Sequence, residues 1–432
     1  MSNPNSEQRS RRYTLILLTM LSAVTFMDRQ ILAVLLEPIK REFGFTDLQI
    51  GLITGMGFAL TFGLLGLPLG RLADKHERRS LIAWCRGLGG CVASLGAFAT
   101  GAGGLTASRA GAALGDAGGG AASMSILADL YGPSERSRVM SVFGMGASAG
   151  ALLALLLGPT LAEMWGWRAT MAVIGCASVV LAWVLQLTVQ EPVRADRMAQ
   201  HVGSATPSSA ATTTPAIVLI WREPVTRWLI IGAACALLAC LSVGAWNMAL
   251  LSRRFHISLT DAGWISATGA VLSVTGNLIS GWTTDRMAQR HLRWQLGVPL
   301  VALSLATVFG MGYLLMGEQH FYISIALLMG YSFFAPWWAS ATYAALSLVV
   351  PSQRRATASA MVLMSGALLG NGLGPIASGW LSDVFNAIAP GQGLRYALLV
   401  MMCVMIPGLM AYAKAMMFYP KAYRTLYAPA AA

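Results

Sequence analysis

Charged side chains are scarce in this chain, at 11% of 432 residues, against 56% hydrophobic ones. An ordinary soluble domain carries about 25%. That shortage excludes a water-soluble protein of this length. Long apolar runs recur from one end to the other, so the chain is read as a polytopic membrane protein. Histidine is also sparse. His76, His201, His256, His291 and His320 all fall in expected loops or linkers, which leaves no histidine pair for a metal or a catalytic base. The six cysteines (Cys85, Cys91, Cys176, Cys235, Cys240, Cys403) lie in apolar runs with neither disulfide-framework nor metal-ligand spacing. They read as small packing residues. No cleavable signal peptide is evident: the first twelve residues are polar and basic, and the first apolar run is spanning length. No polar segment exceeds about 35 residues, which argues against a signalling domain and so against a sensor. A membrane enzyme would need a catalytic cluster at one face, and neither nucleophile elbow nor phosphate loop is seen. No catalytic residue, cofactor or metal is expected, and no nucleic acid either: the net charge of +12 sits mostly in short loops, where it sets topology.

Twelve apolar runs are present, near residues 13–36, 48–71, 80–102, 105–130, 138–162, 168–190, 226–251, 260–283, 294–316, 320–350, 356–382 and 394–417. With the N-terminus placed inside, 21 of the 30 Lys and Arg fall on the cytoplasmic side and six outside. The positive-inside rule then puts both termini in the cytoplasm. The Ser-, Thr-, Ala- and Pro-rich stretch 191–224 reads as a cytoplasmic linker. It separates an N-terminal half, 1–190, from a C-terminal half, 225–432. Three pairs of segments recur between the halves at near-constant offset: "GLPLGRLADKHERR" with "NLISGWTTDRMAQR", "PSERSRVMSV" with "PSQRRATASA", and Gly158-Pro159 with Gly374-Pro375. The expected fold is therefore all-α, with twelve transmembrane helices in two parallel six-helix halves, an architecture of secondary transporters.

Three arginines (Arg29, Arg86, Arg109) and the carboxylates Asp28 and Asp116 lie inside the early spans. Each charge costs about 2.5–3.5 kcal/mol at a bilayer centre, so a helix built only to span lipid would carry none. Neighbours on a helix point about 100° apart, so Asp28 and Arg29 need partners from another helix. Arg109 and Asp116 are seven residues apart and share one face. Two acids and two bases on facing helices can form a nearly neutral cluster around a wet cavity. A purely structural clasp is a weak explanation, because buried ion pairs often stabilise no better than apolar packing. Proton coupling is the alternative: burial favours the protonated acid, a nearby arginine opposes it, and separating them lets the acid take a proton. Arg86 is expected to snorkel towards the cytoplasm as an anchor.

The six later spans are read as carrying no acidic or basic residue in their interior. "GYSFFAPWWASATY" (330–343) instead supplies aromatics on all sides of a helix. Trp246, Asn247, Tyr331, Trp337 and Asn371 are the candidate cavity residues of this half. A cavity charged on one wall and aromatic on the other is expected.

The motif Gly70-x-x-x-Asp74-Lys75-x-x-Arg78-Arg79 resembles the cytoplasmic loop signature of the major facilitator superfamily, with Glu77 where that family has glycine. Gly281, Asp285 and Arg286 echo it in the second half. "MDRQILAVLLEPIKREFGFTDLQIGLI", with Asp28 and Arg29, resembles bacterial spinster-like members, as does Arg109 followed by Asp116, where an aspartate stands for their usual glutamate. The resemblance implies proton-linked movement of lysolipid-like amphiphiles by a monomeric protein of the bacterial inner membrane. Asp28 and Asp116 would handle the proton, and Arg29 and Arg109 would pair with them or hold a head group. Gly70, Asp74, Arg78, Arg79 and Asp129 would form a gating latch, with Arg78 and Arg79 meeting Asp129. Anion symporters of the same superfamily also carry Asp-Arg in the first helix, so proton symport of an organic carboxylate stays open.

Overall fold

The computed structural model describes residues 4–132, 135–192, 216–351 and 354–427. Side chains of a few helical residues, Gly70 and Asp74 among them, lie outside that description. Every regular element among the described residues is helical. The helices are α1 (Pro4–Phe43), α2 (Asp47–Lys75), α3 (Arg78–Leu95), α4 (Ala102–Leu130), α5 (Arg136–Thr188), α6 (Ala216–Arg222), α7 (Pro224–Phe255), α8 (Leu259–Arg290), α9 (Trp294–Leu315), α10 (Phe321–Phe334), α11 (Trp337–Val349), α12 (Arg355–Ser365), α13 (Gly374–Ile388), α14 (Gly393–Cys403) and α15 (Met405–Tyr427).

Among the described residues, ten helical stretches are long and apolar enough to cross a membrane. One of them, Arg138–Thr188, is 51 residues long and makes two passes. Its break is Gly166, at φ 78° and ψ 161°, a left-handed-side conformation that a side chain resists. The twelfth pass is α4, 29 residues long. Its glycines, its buried Arg109 and its partly buried Asp116 dilute its hydropathy.

The chain divides into two compact units: Met1–Phe45 with Leu52–Ala211, and Thr46–Gly51 with Thr212–Ala432. Most of the expected linker lies outside the described residues. Its apolar end, "AIVLIWR", forms α6.

Small residues let the helices of the first unit approach closely. Gly146, Gly150 and Gly158 recur every fourth or eighth residue and so line one face of α5. A Cβ at Gly146 or Gly150 would strike the carbonyl oxygens of Thr19 and Ala23 on α1, and one at Gly158 would strike Ile31. In lipid, where apolar association gains little, such close backbone contact holds helices together. At the end of the unit that carries Arg78, an apolar cluster of Leu17, Leu18, Leu21, Ile82, Ile126, Leu127, Phe143 and Leu185 closes the core.

In the second unit α12 and α13 are joined by a π-helical segment, Gly366–Leu373. Asn371 lies in it and donates from Nδ2 to the Gly366 carbonyl at 3.2 Å. Single-residue widenings of this kind recur at functional positions in helices. The later helices run further than the apolar runs suggest. Arg253 and Arg254 close α7 and Asp383 lies in α13, beyond those runs, whereas Arg227, Asp261, Arg395 and Lys414 lie within the runs 226–251, 260–283 and 394–417 themselves, so this unit does carry charge within its spans. The apolar stretches mark only the part of each helix that meets hydrocarbon.

Candidate functional site

The charges of the first unit converge from three helices. Arg29 Nη1, on α1, lies 3.6 Å from Asp116 Oδ2, on α4. That contact meets the need for a partner from another helix. Arg109 donates instead to backbone: from Nε to the Thr54 carbonyl at 3.2 Å and from Nη1 to the Arg29 carbonyl at 2.9 Å. Phe58, almost fully buried on α2, is close to both cations. Its ring centroid is 4.6 Å from the Arg29 guanidinium carbon and 5.2 Å from that of Arg109. The ring faces carry partial negative charge, so one phenylalanine offsets part of the repulsion between two arginines. Asp28 has no ion pair within 4.0 Å among the described residues. Its electrostatic partners are Arg109 and Arg86.

Arg86 does not snorkel. It is 6% exposed and lies against α4, where a Cβ at Gly119 would sit 2.7 Å from its Nε. The glycine-rich face of α4 draws the guanidinium inward. Sequence reasoning judged its depth from position alone and missed the cradle. Helix α4 starts before the expected boundary at 105. Arg109 is therefore about 10 Å and Asp116 about 21 Å along the axis from Ala102, at 1.5 Å per residue, which puts Asp116 at mid-helix.

The latch residues are brought together in part. Arg78, 3% exposed at its side chain, donates to Asp129 at 2.5 Å and to Glu191 at 2.9 Å. It also reaches Ser125 Oγ at 2.8 Å. Arg79 takes other partners: its backbone N–H donates to Glu191 at 2.8 Å and its Nη1 to the Val189 carbonyl at 2.9 Å. Glu191 thus holds both arginines, a role that its place in the expected linker concealed. Gly70 and Asp74 fall outside the described side chains.

The cavity candidates of the second unit are dispersed among different contacts. Trp246 is fully buried, and its Nε1 donates to the Pro375 carbonyl at 3.3 Å. Asn247 accepts from Tyr313 Oη at 3.2 Å and donates to Ser266 at 3.3 Å. Trp337 packs against Phe333 and Phe334, with ring centroids 5.7 and 5.4 Å away, and its buried Nε1 has no partner. Tyr331 is likewise buried.

A further charged cluster escaped the sequence reading. Asp47, fully buried, meets Arg253 with both oxygens at 2.9 and 3.0 Å and accepts from Ser382 at 2.5 Å. Asp383 accepts from the backbone N–H groups of Asp47 and Leu48 at 3.0 and 2.8 Å, capping the start of α2. All these residues belong to the second unit. Spacing gave no hint of it, because the partners are more than 200 residues apart. No group of His, Cys, Asp or Glu among the described residues is arranged to hold a metal ion.

The sequence model of the Major Facilitator Superfamily matches residues 18–307 and 235–429. An "MFS-type efflux pump" of Mycolicibacterium smegmatis is 31% identical over 90% of this chain and 88% of its own length. A "D-galactonate transporter" of Escherichia coli is 22% identical over 94% and 95%. In fold, the chain superposes on the inward-facing, unoccupied crystal structure of a bacterial homolog to the human lysosomal transporter Spinster. That match has a TM-score of 0.78 and 24% identity, and it covers 98% of each chain.

Proposed function

Because this chain belongs to the major facilitator superfamily of membrane transporters, we propose that it is a proton-coupled carrier of an amphiphile with an anionic or zwitterionic head, lysolipid-like in build. The observation that carries the reading is the charge cluster of the first unit. A direct Arg29–Asp116 contact at 3.6 Å stands beside Asp28, which has no direct ion partner among the described residues. An acid held by an arginine in one state and released in another is the element a proton-linked carrier requires. Arg29 and Arg109 supply the positive charge for a head group. Sugar hydroxyls buried without partners would cost about 1–3 kcal/mol each, which favours a ligand with an apolar body.

We place the protein in a bacterial inner membrane as a monomer, with both termini cytoplasmic, a 191–224 linker joining the 1–190 and 225–432 halves, and the Arg78 cluster acting as a latch. Cysteines introduced at residues 4–8 and 425–427 should label only from the cytoplasmic side.

The decisive experiment is a ligand-stabilisation screen of the purified protein with lysolipids, aromatic carboxylates and free sugars in one panel. The reading expects a rise in melting temperature with an amphiphile. Stabilisation by sugars at micromolar concentration, with none by any amphiphile, overturns it. The similarity to a D-galactonate transporter supports a second reading, proton symport of a small organic carboxylate. A response to short carboxylates alone would select it.

A further inference from the structure

The first unit brings together three guanidinium groups, those of the buried Arg86 and Arg109 and the partly buried Arg29, and two partly buried carboxylates, those of Asp28 and Asp116. The cluster therefore holds one more positive charge than negative. Two of the three arginines are already engaged. Arg29 lies against Asp116 at 3.6 Å, and Arg109 donates to two backbone carbonyls. Arg86 makes no hydrogen bond and no ion pair among the described residues, and its buried Nε is unpartnered.

A charge buried without a partner is costly, and Arg86 is too far along its helix to escape easily. It is eight residues from the start of α3, about 12 Å along the axis. Its guanidinium is also seated. A Cβ at Gly115 would lie 3.4 Å from its Cδ, and one at Gly119 would lie 2.7 Å from Nε and 2.8 Å from Nη2. The two glycines are four residues apart on one face of α4 and bracket Asp116, the mid-helix acid. Absent side chains at 115 and 119 leave room for the planar group beside that acid. Asp116 and Asp28 both act on Arg86 electrostatically, but neither is within 4.0 Å of it.

We propose that Arg86 is the anchor for the anionic head of the transported amphiphile, its free fork taking a carboxylate or phosphate oxygen pair. The assignment rests on the amphiphile reading above and adds the residue that selects charge. A planar guanidinium binds such oxyanions in a two-pronged geometry. One bound monoanion also brings the cluster to neutrality, with Asp28 and Asp116 both ionised.

The test uses the full chain in lipid nanodiscs and three twelve-carbon probes that differ only in the head: dodecanoate, dodecyl phosphate and uncharged 1-dodecanoylglycerol. Binding is read by tryptophan fluorescence. The parent should prefer one or both anions over the glycerol ester by tenfold or more, and whichever anion is preferred identifies the head as carboxylate or phosphate. Arg86→Gln should erase that preference while leaving the neutral ester within about twofold, and Arg86→Lys should retain part of it. Should Arg86→Gln fail to fold, Gly119→Ala displaces the guanidinium without removing its charge, and it should weaken the anions severalfold and spare the ester. An anion preference that survives either substitution overturns the role of Arg86 alone. Equal binding of all three probes by the parent overturns it together with the charged head of the amphiphile reading. No binding of any probe by the parent overturns the role and the whole amphiphile reading.

Discussion

The carboxylate of Asp116, at the middle of α4, stands 3.6 Å from the guanidinium of Arg29, while Asp28, the residue before that arginine, has no direct ion partner among the described residues. The two acids therefore sit in different surroundings within one cluster. A carrier that couples proton movement to substrate movement needs an acid whose neighbours change between states. Asp28→Asn or Asp116→Asn should abolish uphill, pH-driven accumulation in proteoliposomes, while folding and some substrate binding persist. If both variants concentrate substrate as well as the parent, the proton assignment is wrong.

At the opposite end of α3, Arg78 satisfies Asp129 and Glu191 at once. Removing it strands two carboxylates in a site that is nearly closed to water. Breaking a buried pair typically costs about 3–5 kcal/mol. Arg78→Ala should fall near the lower limit of that range, since the partners are 15% and 21% exposed. Arg78→Lys should recover less than half, because a single ammonium cannot hold two carboxylates in fork geometry. The check is the midpoint of thermal unfolding in detergent. An Arg78→Ala midpoint equal to the parent's would show that the cluster is not a structural clasp.

Close packing of α1 on α5 gives a paired test. A methyl group at Gly150 collides with the Ala23 carbonyl, whereas one at Gly144 meets nothing within 4 Å. Gly150→Ala should lower thermal stability and transport together, because α1 carries Asp28 and Arg29 and would be displaced. Gly144→Ala should be neutral, or slightly stabilising through helix propensity. Equal behaviour of the two variants in unfolding and transport assays would exclude backbone contact as the cause.

Much of this was readable from the chain. Apolar run length located the passes, because a spanning helix needs about 20 apolar residues whatever its partners. Asp28, Arg29, Arg109 and Asp116 stood out because charge in such runs is costly. Helix ends were less legible: α7 and α13 extend beyond the hydrocarbon-length runs and take in Arg253 and Asp383. The Asp47 cluster stayed hidden because its members lie at polar helix ends, where a charge attracts no notice, and because long-range pairing leaves no local pattern. Arg86 was misplaced for a related reason. Its burial depends on glycines of α4, and a single helix read alone does not reveal what faces it. Phe58 looked like one more apolar residue until two arginines were found on its ring.

That ring gives the last prediction. Arg29 and Arg109 both lie within 5.2 Å of the Phe58 centroid, so one aromatic ring attracts two like charges. Such contacts are worth about 2 kcal/mol when water is excluded. Phe58→Leu keeps the apolar volume nearly constant but removes the aromatic face. The variant should unfold at a lower temperature than the parent without ligand, with most of the loss arising from the two arginines. An anion bound at the cluster would offset the same repulsion. The stabilisation produced by an anionic amphiphile should then be larger in Phe58→Leu than in the parent, while that produced by an uncharged amphiphile should be unchanged. A thermal-shift series with dodecanoate and 1-dodecanoylglycerol measures both. If the two proteins respond to dodecanoate by the same amount, the anion does not act on Arg29 and Arg109, and their part in holding the head group is excluded.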